Sequence, residues 1–341
     1  MDATIIFING KVITVDENFT IVESLAVSGK YIVGLGSSVD TLSKYKGNET
    51  VIIDLEGRSL LPGFIDAHAH LELYGTNKMG VNCKEVDSIE EIKKTMKDVA
   101  ETTPEGEWIR GWGYNQKSLL EERHPSRVDL DEISTTHPII ITRTCNHISV
   151  VNSKALELAG ISEKTSDPNG GKIGKENGIP NGVLYEAAHM KMFFEALHPE
   201  PQMLDALQIA SEDYIKKGIT SVHDAGGFTN HHFRHLSQAV QEGKVKLRVN
   251  TMIGSLYDSP GVMNKALDAG MVSGTGDENF RIGPAKVFID GSSSGPTAKT
   301  REVYTSNPND SGILHLTQEE LNQKLGKAHQ YGWQITAHAI G

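Results

Sequence analysis

One unit recurs in the C-terminal part of this chain and restricts its fold more than any other feature. An amphipathic helix ends at a glycine, and a short apolar strand with polar residues at its far end follows. "MLDALQIASEDYIKKG" closes at Gly218 and runs into "ITSVHDAGG", whose strand ends in His223-Asp224. "TQEELNQKLGKAHQYG" carries a capping box from Thr317 to Glu320, closes at Gly332, and runs into "WQITAHAIG", which ends in His338. "KLRVNTMIG" and "PAKVFIDGSSSG" read as further strands. Strands alternating with helices make a parallel α/β fold, and polar residues at strand C-termini are the habit of the (β/α)₈ barrel.

The first 60 residues read differently. "TIIFING", "KVITVD", "TIVESLAVSG", "KYIVGLG" and "TVIIDLEGR" alternate like short strands, with turns at Asn9-Gly10 and Ser28-Gly29-Lys30, and predict a small antiparallel sheet. At Pro62-Gly63 the pattern changes to a single apolar strand, so a boundary near residue 60 separates a small N-terminal domain from a domain over 61–341. Residues 75–205 are mixed and read as an inserted segment. They hold a capping box from Ser88 to Glu91 and a glycine-rich stretch, "DPNGGKIGKENGIPNG", that must be loop or hairpin.

A formal charge of −11 with no basic run argues against nucleic acid and anionic membrane surfaces as partners. No stretch is long enough to span a bilayer, and two cysteines, Cys83 and Cys145, are too few for a disulfide framework. The expectation is a cytoplasmic protein.

The residues that carry chemistry sit at strand ends. In "FIDAHAHL", His68 and His70 end an apolar run one residue apart, so on a strand both imidazoles share a face. Two neutral imidazoles suit Zn²⁺ and related ions, which need further ligands from elsewhere. Lys286 lies inside the apolar run "PAKVFIDG", where a buried ammonium is costly without a partner. It either snorkels or pairs with Asp290, or its amine is neutral and carbamylated, making an oxygen ligand. His338 ends its strand as His68 and His70 end theirs. Trp112 and Tyr114 either stack on a substrate or pack the insert. Cys145 beside His147 is a small buried hydrophobe more readily than a nucleophile. "GSSSG" at 291–295 reads as a flexible loop, His223-Asp224 as local or supporting, and the histidines of "NHHFRH" (His231, His232, His235) as a solvated helix face.

Six separated stretches, "LPGFIDAHAHL", "WIRGWGYNQ", "NHISVVNSKALELAGI", "GITSVHDAGG", "AKVFIDGSSSGPTA" and "ITAHAIG", resemble in this order the metal-dependent amidohydrolase superfamily. The branch they resemble is amidohydrolase family 3, which includes N-substituted formamide deformylases. The resemblance implies a (β/α)₈ TIM barrel with a small β-sandwich, of which this chain covers about the first five barrel strands. It implies His68 and His70 as metal ligands on the first strand, carbamylated Lys286 on the fourth and His338 on the fifth. One or two Zn²⁺-class ions would activate a water against an amide or related C–N bond of a small molecule. The segment around Trp112, Tyr114 and His147 would cover the pocket. The family's further histidine and its proton-moving aspartate are expected beyond residue 341. A completing C-terminal segment or a second copy is therefore an expected partner. The competing expectation is a non-catalytic binding or scaffolding remnant of the same fold.

Overall fold

The computed structural model describes residues 2–226, 231–254 and 259–341. Gly227 of "ITSVHDAGG" and Asn230 of "NHHFRH" lie outside the described residues. The chain divides into two compact units, Met1–Phe64 and Ile65–Gly341.

The first unit differs from the all-antiparallel expectation. Its four-stranded sheet runs, in spatial order, Tyr31–Gly36, Ser24–Ser28, Ile5–Ile8 and Val51–Asp54, and the last pair is parallel. A second sheet of Ile21–Val22, Lys11–Ile13 and Ser59–Leu60 also holds one parallel pair. The alternation reading had no place for the helix Ser38–Tyr45. Parallel neighbours need a crossover, and this helix lies between Tyr31–Gly36 and Val51–Asp54. Ser37 caps it, its hydroxyl accepting the amide of Asp40 at 3.1 Å.

The second unit contains the recurring helix–strand units. Phe64–Ala69, Ile219–Asp224, Arg248–Ile253, Phe280–Phe288 and Ile335–His338 lie side by side in chain order as a five-stranded sheet, and the last four are parallel to one another. Helices Glu200–Lys216, His232–Gln241, Ser259–Asp268 and Gln318–Gln330 connect these strands. This is a mixed α/β architecture with a parallel half-barrel. Gly218 (φ 81°) and Gly332 (φ 82°) stop two of the helices in the left-handed conformation that glycine adopts without cost. Thr317 and Glu320 form the full capping box. At Ser88 only half of one forms, because Glu91 reaches the amide of Asp87 instead of that of Ser88. The core beneath the sheet gathers Leu207, Val222, Leu236 and Val249, then Ile253, Met263, Ile282 and Trp333.

The insert is a six-stranded mixed sheet within residues 81–186. The glycine-rich stretch is its edge hairpin, Gly171–Glu176 with Ile179–Glu186, turning at Asn177-Gly178 with φ of 50° and 82°. Two positive φ values are what a two-residue hairpin turn of matching twist demands. In the strand Ile139–Arg143, Ile139 and Ile141 pack in one core and Ile140 in another. That strand is a continuous apolar run because both faces are covered. Among the described residues, no helix is long and apolar enough to cross a membrane.

Candidate functional site

The strand Phe64–Ala69 carries His68, and His70 begins the helix Leu71–Met79 that follows. The two rings lie 5.4 Å apart at 70°. His70 Nδ1 donates to the Gly226 carbonyl at 2.9 Å, which fixes the ring. Burial, then the nearby Lys286, lowers the pKa of His68; burial lowers that of His70. Both are thereby held toward the neutral imidazole that binds metals.

Lys286 is 2% exposed. Among the described residues its amine makes no hydrogen bond or ion pair, and it lies 5.2 Å from the Phe288 ring. Burial pushes its pKa down. The alternative pairing with Asp290 is not formed, since that carboxylate takes the amides of Lys299, Ile340 and Gly341. Close backbone approach around Lys286 depends on glycine: a Cβ on Gly254 would sit 2.2 Å from the Lys286 carbonyl oxygen. His338 pairs in register with Phe288 on the neighbouring strand. Its Nε2 donates to the Gly291 carbonyl at 2.9 Å, and burial is the main cause of its lowered pKa.

As a donor set for a divalent ion, these residues fit in kind. His68, His70 and His338 are nitrogen donors depressed toward neutrality, and Lys286 is an amine whose charge burial disfavours. Among the described residues, however, no three His, Cys, Asp or Glu side chains are grouped so as to hold a metal ion. The set is partial.

Two buried carboxylate–imidazole networks flank these residues; sequence reading named Asp224 of the first as local or supporting, and missed Glu72 there and Glu186 in the second. In the first, His232 lies between Glu72 (Nδ1–Oε2 2.6 Å) and Asp224 (Nε2–Oδ1 2.7 Å), while His235 donates to Glu72 at 2.8 Å. Asp224 also accepts the amide of Leu71 at 2.9 Å. The solvated face expected for this histidine-rich helix is therefore corrected at His232 and His235, which are buried. They turn inward because two buried carboxylates await them. Burial would lower His232, but Asp224 and Glu72 outweigh it and push its pKa up to about 10. Burial would raise Glu72, but His232 and then His235 bring it down to about 2.

In the second network, His147 Nδ1 donates to Glu186 Oε2 at 2.9 Å, and His315 Nε2 stands 3.6 Å from the same oxygen. Glu186 is fully buried. Burial would raise its pKa, but His147 and then His315 hold it well below the usual carboxylate range. The His147 ring lies 5.6 Å from that of His338, so this network adjoins the strand-end histidines. Arg143, 2% exposed, joins the insert to the Gly-Ser loop by donating to Ser294 Oγ at 3.2 Å. The only sequence signal for Glu186 was a charged residue closing the apolar run "VLYE".

The other two residues expected to cover the pocket, Trp112 and Tyr114, both belong to the insert strand Ile109–Tyr114. Tyr114 is fully buried in the insert core, where it bonds His124 Nδ1 at 2.9 Å. Trp112 lines a separate small cavity of about 30 Å³ with Arg110, Phe193 and His198.

The profile described as "Amidohydrolase family" matches residues 51–341. Among curated relatives, the chain is 30% identical to the "Putative amidohydrolase YtcJ" of Bacillus subtilis, over 94% of this chain and 60% of that protein. It is 25% identical to the "N-substituted formamide deformylase" of Arthrobacter pascens, over 99% of this chain and 63% of that protein. Among solved structures, it is similar to an uncharacterized metal-dependent hydrolase from Pyrococcus furiosus. The TM-score is 0.73 with 27% identity, covering 99% of this chain and 67% of that one. The chain thus spans about three fifths of the length of the curated relatives it matches.

Proposed function

The chain belongs to the amidohydrolase family, and from that premise we propose that it carries part of the active centre of a metal-dependent hydrolase. The reaction is cleavage of an amide or related C–N bond in a small molecule. The observation that carries this reading is Lys286, buried with no anionic partner among the described residues, one sheet with His68 and His338. Its amine is most economically neutral, and neutral amines take up CO₂; the resulting carbamate is an anionic oxygen donor.

In this reading His68, His70, His338 and carbamylated Lys286 hold one or two Zn²⁺-class ions. Such an ion, when bound, supplies Lewis acidity and lowers the pKa of water. The chain's own residues do the rest. The Gly226 and Gly291 carbonyls orient His70 and His338. The insert residue His147 borders the substrate. Because the chain spans only part of its relatives, this activity is assigned to the intact protein.

Replacing His68 and His70 together with Ala in the intact protein is the test. Metal per mole of protein should fall to background and amide hydrolysis should be lost. Unchanged metal content would rule the assignment out. A second reading, a non-catalytic remnant of the fold, is favoured because no three His, Cys, Asp or Glu side chains among the described residues are grouped so as to hold a metal ion. Intact wild-type protein that retains no metal after mild chelation would support it.

A further inference from the structure

Arg110 and Trp112 lie two residues apart on Ile109–Tyr114, so their side chains share the strand face opposite Ile109, which packs in the insert core. That face meets the helices Leu71–Met79 and Ala187–Glu195 across a cavity of about 30 Å³. His198, in the short connection between Ala187–Glu195 and Glu200–Lys216, also lines it, and Ile140, Phe193 and Leu197 supply apolar walls. His68, His70, Lys286 and His338 do not line it, so the cavity is separate from the proposed metal site. Two buried polar atoms meet here without a hydrogen-bond partner among the described residues, Trp112 Nε1 and His198 Nε2. Folded proteins satisfy such atoms with protein groups or a bound small molecule, because an unmade buried hydrogen bond costs stability.

The two atoms are complementary. An indole N–H only donates. His198 Nδ1 lies 2.9 Å from Gln202 Oε1, an amide oxygen that only accepts, so Nδ1 carries a proton. Burial, then the nearby Arg110, lowers the His198 pKa and keeps the ring neutral. Nε2 is then a bare acceptor. A ligand between the two must accept at one side and donate at the other, as a hydroxyl does. An anion is disfavoured, because the His198 lone pair repels it. Arg110 also directs Nε, Nη1 and Nη2 to the carbonyls of Ala196, Trp108 and Leu197. Size narrows the choice further, since one water needs roughly 10–15 Å³ of such space and the cavity takes about two non-hydrogen atoms. We propose that this cavity binds a hydroxyl compound no larger than methanol, or water itself, which bridges Trp112 Nε1–H to His198 Nε2. The bridge joins the insert strand to the connection before Glu200–Lys216, the helix that leads into the half-barrel strand Ile219–Asp224. It stands independently of the hydrolase reading.

The experiment is a crystal structure of the intact protein, with and without a bromide soak, joined to ¹H–¹⁵N NMR of the Trp112 indole. Loss of the resonance in Trp112→Phe assigns it. The structure should show an oxygen within about 2.7–3.2 Å of both nitrogens. A saturable shift of the indole resonance with methanol identifies an exchangeable site. A bridging water that methanol does not displace, seen as cross-relaxation between water and the indole proton, identifies a fixed one. Either result supports the proposal. His198→Leu removes the acceptor and should weaken the methanol response about tenfold or, for a fixed water, empty the site. An empty wild-type cavity, an oxygen on one nitrogen alone, or bromide in the cavity would each overturn the proposal. So would a saturable shift with tert-butanol, which is too large to enter. If His198→Leu does not fold, the wild-type structure and the bromide soak still decide.

Discussion

The two buried carboxylate–imidazole networks are built from the same residue types and end in opposite states. Around His232 both ring nitrogens meet carboxylates, Glu72 meets two histidines, and Asp224 also takes a backbone amide. Around Glu186 one carboxylate oxygen lacks a full hydrogen bond and the backbone is strained. A saturated network has no capacity left for binding, and its worth lies in holding the strand end and its helix together. An unsaturated one costs stability. The difference separates a network that holds elements together from one that carries strain.

The largest expected effect tests the first half of this comparison. His232→Ala leaves Glu72 and Asp224 buried without their shared cation and should cost about 3–5 kcal/mol in urea unfolding. Glu186→Gln should cost only about 1–2 kcal/mol. Equal losses would break the comparison.

The pH dependence separates the two regions next. His232 has a folded pKa of about 10, raised above its usual 6.5. Its stabilisation is therefore fully present below pH 6.5 and is lost as pH rises through about 10. The unfolding midpoint should fall across that alkaline window in wild type and stay flatter in His232→Ala.

On the insert side the sign reverses. Buried His189 is lowered to about 4, chiefly by burial and then by His147. It is held neutral, so stability is present above pH 6.5 and is lost as pH falls toward 4. His189→Asn should reduce that acid sensitivity, read from unfolding midpoints between these limits.

The smallest effect concerns the strain itself. Glu186→Gly and Glu186→Ala both remove the carboxylate, but only glycine tolerates φ 48°, ψ −118°. The glycine variant should be the more stable by about 1 kcal/mol, measured by thermal or urea unfolding. A more stable alanine variant would show that the backbone there is not strained.

Much of the fold was legible because it is written locally. Gly218 and Gly332 mark helix ends, Thr317 and Glu320 lie three residues apart, and the apolar strands after them are contiguous. Such signals need only a few neighbouring residues to be read, and the half-barrel strands follow from them. The helix Ser38–Tyr45 escaped because it is only 8 residues long, about two turns set among alternating strands. Strand-end positions of His68, His70, Lys286 and His338 were also readable, as places along the chain. Their company was not. Glu72 meets His232 across 160 positions, and Glu186 meets His147 across 39. Nothing local tells a buried carboxylate from a solvated one, or a histidine face turned inward from one turned to water. The sequence by itself determined which elements form and what ends them, because caps, glycines and periodicity act within a turn or two of backbone. Only the tertiary structure decided which charges are saturated and which are left open, because desolvation and pairing depend on neighbours that folding brings together.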